Sequence, residues 1–400
     1  MDGNPDPLLR WREEFPILSR TNYLVSNSLG AMPRGVYDSL HAFADTWAER
    51  GVRAWGEGWW DMSVELGNKI GAIIGAPPST VCMQPNISLA IGMLLSVFDF
   101  DGPRNRVVAE GGIFPSVYYV LRGMLPSYVG LHMVKSQDGG ITVPDEQIVE
   151  AIDERTKLVV VSHVLFRSAY VLDIEAIIRK AHQVGAVVIV DGYHACGIVP
   201  FDVQALDVDF YLGGVLKWMC GGPGGAFLYA REDHLGTAKP RLTGWMAHRR
   251  PFAFEVGDID FREDAFRFLS GTPAIPVFYA AGPGIDIIAQ VGVENIRRKS
   301  MRQTALIVER ADAAGYPVHT PRHPDRRGGT VTVDPPHAYE VSRELLARDI
   351  VVDYRAGAGI RISPHFYNSD AEIHAAMDAI ADILQTGAWK RHTEQQSFVT

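Results

Sequence analysis

Two apolar runs and the residues that end them constrain this chain more than any other feature. The first, Val187-Val188-Ile189-Val190, is a buried-strand run that stops on Asp191. The second, Asp209 to Leu216, stops on Lys217 and is followed at once by a glycine cluster, Gly221 to Gly225. In an open parallel sheet, strand ends of this kind meet at the carboxyl edge, where such folds hold their ligands. Each residue alone has an ordinary reading: many strands end on an acid, and a loop lysine is usually a solvated charge. Their order within one stretch, with His194 between them, is the informative feature.

The rest of the chain sets the class. Four hundred residues, 47% hydrophobic and 21% charged, suit two closely packed domains. A formal charge of −9 argues against nucleic-acid or anionic-membrane partners. Cys82, Cys196 and Cys220 have neither paired nor metal-ligand spacing, so no metal site is expected, and they suit a reducing cytoplasm. No secretory signal or membrane-length apolar run is visible, so a cytoplasmic location is expected. Strands alternate with helical patterns: Arg106 to Glu110, a helix over 144–155, Lys157 to Val161, and an amphipathic helix from Asp173 to Val184 with Ile174, Ile177, Ile178 and Ala181 on one face. This order predicts an α/β fold with a mostly parallel sheet covered by helices on both faces.

An acid and a lysine at neighbouring strand ends suit pyridoxal phosphate (PLP). The lysine can form a Schiff base with the aldehyde while the acid keeps the pyridine nitrogen protonated. Asp191-x-x-His194, the 26 positions from Asp191 to Lys217 and the glycines after it resemble fold-type-I PLP enzymes of the class-V aminotransferase superfamily. The run DGYHACGIVPFDV most resembles kynureninases. That resemblance implies a large PLP-binding domain over 26–275 with a seven-stranded-type sheet. It also implies a segment over 1–25, a small C-terminal α+β domain over 276–388 and a tail over 389–400.

The same resemblance implies roles for residues in matching motifs. Asn27-Ser28-Leu29-Gly30 matches the N-S-L-G loop beside the substrate, so Asn27 and Ser28 are substrate contacts; an ordinary turn is the plain alternative. The turn Asn86-Ile87-Ser88 opens a helix and holds the cofactor phosphate through the Ile87 backbone and Ser88; a simple N-cap is the plain alternative. Phe114, in the run Phe114-Pro115-Ser116, stacks on the pyridine ring. His194 lies at its face or phenolic oxygen. Trp245 and Thr272 resemble residues that reach the neighbouring subunit's phosphate, which implies a homodimer with shared active sites. Arg361 matches the arginine that clamps the substrate carboxylate. Arg167 stands where the family's run differs and is either a substrate contact or a solvated charge.

Three departures bear on the reaction. A cysteine desulfurase needs a nucleophilic cysteine shortly before the carboxylate arginine, and Tyr354 to Ile360 contains none. Kynureninases place a phosphate-binding, proton-relaying tyrosine just before the lysine, where this chain has Leu216. Their ring-reading histidine aligns near Ala48. The expectation is therefore a PLP-dependent lyase that cleaves a β-substituted alanine such as a cysteine S-conjugate. A kynureninase-type hydrolase and a class-V aminotransferase or decarboxylating deaminase are the alternatives. A non-enzymatic role would fit the loss of Lys217 or Asp191, and both are present.

Overall fold

The structure, a computed structural model, describes residues 6–393. Its centre is a seven-stranded sheet. Across it the strands run Val81–Gln84, Ala226–Ala230, Phe210–Gly214, Val187–Asp191, Thr156–Ser162, Arg106–Glu110 and Gly130–Val134. Ala226–Ala230 runs antiparallel to both neighbours, and every other pairing is parallel. The central strands are valine- and isoleucine-rich because both faces are buried. Val159, Val161, Val188 and Val190 enter one apolar core, while Leu158, Val160, Ile189 and Leu212 enter the opposite one. That split is the two-residue alternation of an extended chain.

Register fixes the working edge. Ser162 pairs with Asp191, and Asp191 with Leu212. The expected strand through Leu216 stops at Gly214. Beyond it the chain folds back on itself, with Gly221 N–H donating to Val215 O at 2.7 Å and Cys220 N–H to Lys217 O at 3.1 Å. Lys217 thus rides on a compact loop, not on the strand.

A second core gathers Leu24, Ile307, Val331, Val333, Leu345, Ile360, Ile362 and Ile373 around a three-stranded antiparallel sheet. That sheet contains Asp353–Arg355, Gly359–Ile362 and Val331–Val333. Two helices, Ile275–Val291 and Val293–Ala313, meet at Gly292, where φ is +81°. Ile350–Val351 and Asp353–Arg355 are separate short strands. The expected frayed tail begins in order: Ala388–His392 form a 3-10 turn, with His392 3.0 Å from Glu344 and Trp389 stacked on His337. Residues 394–400 lie outside the described residues. Among those described, no single helix is long and apolar enough to cross a membrane.

Candidate active site

At the carboxyl edge of the large sheet lies a cavity of about 260 Å³. Asn86, Ile87, Ser88, Phe114, Asp191, Tyr193, His194, Leu216 and Lys217 line it, together with Ser162, Val164 and Phe166. Residues from four separate strand ends and one helix start therefore converge on one space.

Lys217 Nζ lies 2.6 Å from His194 Nε2. Burial, then the charge of Arg361, pulls the amine down to about 7, with Asp191 opposing. His194 is held well below its ordinary value by burial first and by Lys217 second, so the imidazole is neutral. The Asp191 carboxylate accepts the Tyr193 N–H at 3.0 Å, and burial raises it to about 6. A buried acid of this kind gains from a cationic partner. The amine also lies 5.9 Å from the Phe114 ring centre and 4.8 Å from that of Tyr193.

The helix Ile87–Leu95 presents its N-terminus to the cavity. Asn86 Oδ1 takes the N–H of Leu89 at 3.0 Å, and the earlier N–H groups of Ile87 and Ser88 remain for an anion.

Arg361 is fully buried and does not line the cavity directly. Both oxygens of Asp353 grip its guanidinium, and its NH1 donates to Phe166 O at 2.6 Å. Arg355 shares the same carboxylate at 3.3 Å. Arg167 is exposed and lies over the Phe166 ring at 5.6 Å, outside the cavity lining.

The loop after Val25 packs against the lysine's own backbone. Gly30 N–H donates to Leu216 O at 2.8 Å, and a Cβ on Gly30 would meet Lys217 O at 2.2 Å. Asn27 is fully buried, and neither polar atom of its amide has a partner. Ser28 is half-buried beside it. Trp245 and Thr272 lie outside the cavity, towards solvent. Trp245 packs edge-on to Trp60 and with Phe252 and Phe254.

Tyr193 and Phe166 were not picked out by their types as site residues. Tyr193 lies in the turn just after the strand that ends on Asp191, so strand periodicity does not mark it. Phe166 is likewise unmarked, because a loop places it.

A buried, partly deprotonated amine, a buried carboxylate, a flat ring beside the amine and a helix N-terminus form a donor set that fits PLP. The unpartnered Asn27 amide leaves hydrogen-bonding capacity for what binds beside it. Together the sheet and this edge define a fold-type-I PLP-dependent enzyme.

The comparisons narrow the class. The aminotransferase class-V family model matches residues 127–375, and the chain belongs to that family. It is 31% identical over 400 residues to kynureninase of Burkholderia pseudomallei (strain K96243), across 96% of this chain and 94% of that one. It is 29% identical to kynureninase of Geobacillus thermodenitrificans (strain NG80-2), across 98% and 95%. The fold is shared with the apo cysteine desulfurase of Thermococcus onnurineus NA1, with TM-score 0.82, 21% identity and coverage of 96% and 100%. It is also shared with the cystine C–S lyase C-DES in complex with its product cysteine persulfide, with TM-score 0.82, 19% identity and coverage of 92% and 99%. The chain is thus a class-V PLP enzyme close to kynureninases, and pyridoxal 5'-phosphate is its cofactor.

Proposed function

We propose that this enzyme cleaves a β-substituted L-alanine by β-elimination, with a thiolate as the leaving group. The observation that carries this reading is Leu216, which lines the cavity next to Lys217 and has no proton to give.

When bound, PLP supplies an electron sink for charge developing at the substrate Cα. The protein supplies the rest. Lys217, neutral for a large fraction of the time near pH 7, carries the cofactor and afterwards takes the Cα proton. Asp191 holds the ring nitrogen protonated. Phe114 covers one ring face, and Ile87 and Ser88 hold the phosphate. Arg361 lies outside the cavity lining, but it is oriented by Asp353 and would offer the N–H groups that Asp353 and Phe166 do not use to the substrate carboxylate. Asn27 and Ser28 do not line the cavity, and their loop packs behind Lys217; contact with the substrate is carried by the motif resemblance and by the unpartnered Asn27 amide. Hydrolysis of a kynurenine-type bond also needs an acid at the β-carbon. General-acid help of that kind is worth about 10²–10⁴-fold. Expulsion of a thiolate does not need it. A desulfurase reaction is disfavoured as well, because Cys220 is buried and burial pushes its thiol up to about 12.

A second reading, kynureninase-type hydrolysis, is favoured by the 31% identity to a kynureninase along nearly the full chain. The deciding experiment compares kcat/KM for L-kynurenine with values for cysteine S-conjugates. Pyruvate from a thioether supports elimination. Alanine and anthranilate from kynurenine, with no pyruvate from any thioether, would overturn it. Stoichiometric consumption of a keto acid would establish an aminotransferase instead.

The enzyme is further proposed to work as a homodimer. Trp245 and Thr272 lie away from their own chain's cavity, and Trp245, Phe252 and Phe254 leave a large apolar surface exposed. A second copy covering that surface would bring both residues to its partner's phosphate.

A further inference from the structure

Tyr193 occupies an unusual place. From the residue two beyond Asp191, its ring crosses to the neighbouring strand and lies on Gly214. A Cβ at Gly214 would fall 2.0 Å from the Tyr193 Cζ and 2.4 Å from its hydroxyl oxygen. The missing side chain at 214 is therefore the space the phenol fills. Val215 N–H still pairs with Gly225 O at 3.2 Å before the chain bends away through Leu216 and Lys217. The Lys217 amine lies 4.8 Å from the centre of the same ring, so the phenol stands beside the lysine in the cavity.

Tyr193, Leu216, Asn86, Ile87 and Ser88 line that same cavity. The Tyr193 hydroxyl makes no hydrogen bond among the described residues. Burial first, and Asp191 second, raise its pKa, so it stays protonated. It is a hydrogen-bond donor without an acceptor, in a cavity that already offers an anion the start of a helix.

We propose that Tyr193 donates this hydrogen bond to the phosphate of PLP and completes an anion cradle to which Leu216 contributes nothing polar. The cradle then consists of the Ile87 and Ser88 N–H groups, the Ser88 hydroxyl and the Tyr193 hydroxyl. The substitution that removes a hydroxyl before the lysine is matched by a phenol arriving from the adjacent strand, and Gly214 makes room for it. The assignment depends on PLP as cofactor and not on which reaction follows.

The test compares PLP with pyridoxal, which lacks the phosphate, as ligands of the apoenzyme. Dissociation constants are read from the absorbance and fluorescence of the bound chromophore. Tyr193→Phe keeps the ring and removes only the hydroxyl. It is expected to weaken PLP about tenfold, the scale of one hydrogen bond to a charged group, and to leave pyridoxal unchanged. Gly214→Ala, which displaces the phenol without removing it, is expected to give the same PLP-selective loss. Unchanged PLP affinity in Tyr193→Phe would overturn the proposal. An equal loss for PLP and pyridoxal would overturn it too, because the effect would then lie in ring packing.

Discussion

Asp353 stands directly opposite Arg361 in the antiparallel pair and holds its guanidinium with both carboxylate oxygens. Arg355, two residues along from Asp353, faces the same way and shares that carboxylate. Two guanidinium groups and one carboxylate leave a single net positive charge beside the cavity. It acts on both Lys217 and His194.

Removing Asp353 should therefore damage both fold and site. Asp353→Ala leaves a buried guanidinium unpaired, which typically costs about 3–5 kcal/mol. Denaturant titration should show that loss. Steady-state kinetics should show a higher KM, because Arg361 is no longer aimed. Wild-type KM in a destabilised Asp353→Ala protein would separate Arg361 from carboxylate binding.

The Lys217 amine gives a pH signature. Its folded value, about 7, lies below that of an unfolded lysine, so between the two the unfolded chain binds more protons. This group therefore destabilises the apoprotein most below pH 7, and the penalty fades as pH climbs towards the lysine range. The bond-forming phase of PLP uptake needs the neutral amine. Stopped-flow measurements should show it accelerating through a midpoint near 7 and then levelling. A midpoint in the ordinary lysine range would show that the amine does not feel its burial.

Restoring a hydroxyl before the lysine should move the reaction. Leu216→Tyr is expected to raise kynurenine hydrolysis relative to β-elimination by about 10²-fold, the lower end of general-acid help. The ratio of anthranilate to pyruvate formed from paired substrates reads this directly. An unchanged ratio would mean that position 216 does not select the reaction.

Charge on the exposed aromatic surface should separate subunits. Phe254 is 70% exposed and stacks on Trp245. Phe254→Glu should shift sedimentation towards the monomer, with activity falling in step. A fully active monomer would contradict the shared site.

Much of this architecture was readable from residue types. Arg106–Glu110 begins and ends where its apolar pattern does, and the helix expected from Asp173 to Val184 runs Ile174–Gln183, with Asp173 as its cap. Both are local: a two- or 3.6-residue period with a boundary residue defines them. Lys217 was placed at a strand end, but the strand stops at Gly214, because the turn through Gly221 closes by hydrogen bonds that no periodicity encodes. Arg361 could be read as a candidate clamp. Its grip by Asp353 depends on cross-strand register, which emerges only when the hairpin forms. Tyr193 was hidden for a related reason: its role depends on the empty place at Gly214, on another strand.

Gly30 should be intolerant of any side chain. Gly30→Ala forces a Cβ against Lys217 O, and overpacking of this kind typically costs about 1–3 kcal/mol. Thermal melting should show the loss, together with weaker PLP retention. Unchanged melting and retention would mean that the loop moves aside freely.

The short parallel pairing of Asn22–Tyr23 with Ile350–Val351, extended by the bridge from Val25 to Ser363, bears on how the enzyme is made. A ribosome releases Tyr23 long before Val351, so this segment has no strand to join until Ile350–Val351 has emerged. The loop from Asn27 to Gly30, which seals the back of Lys217, is tied to that same segment. A nascent chain can therefore build most of its large sheet early, but it acquires a closed lysine site only after Ile350–Val351 and Ser363 have been made.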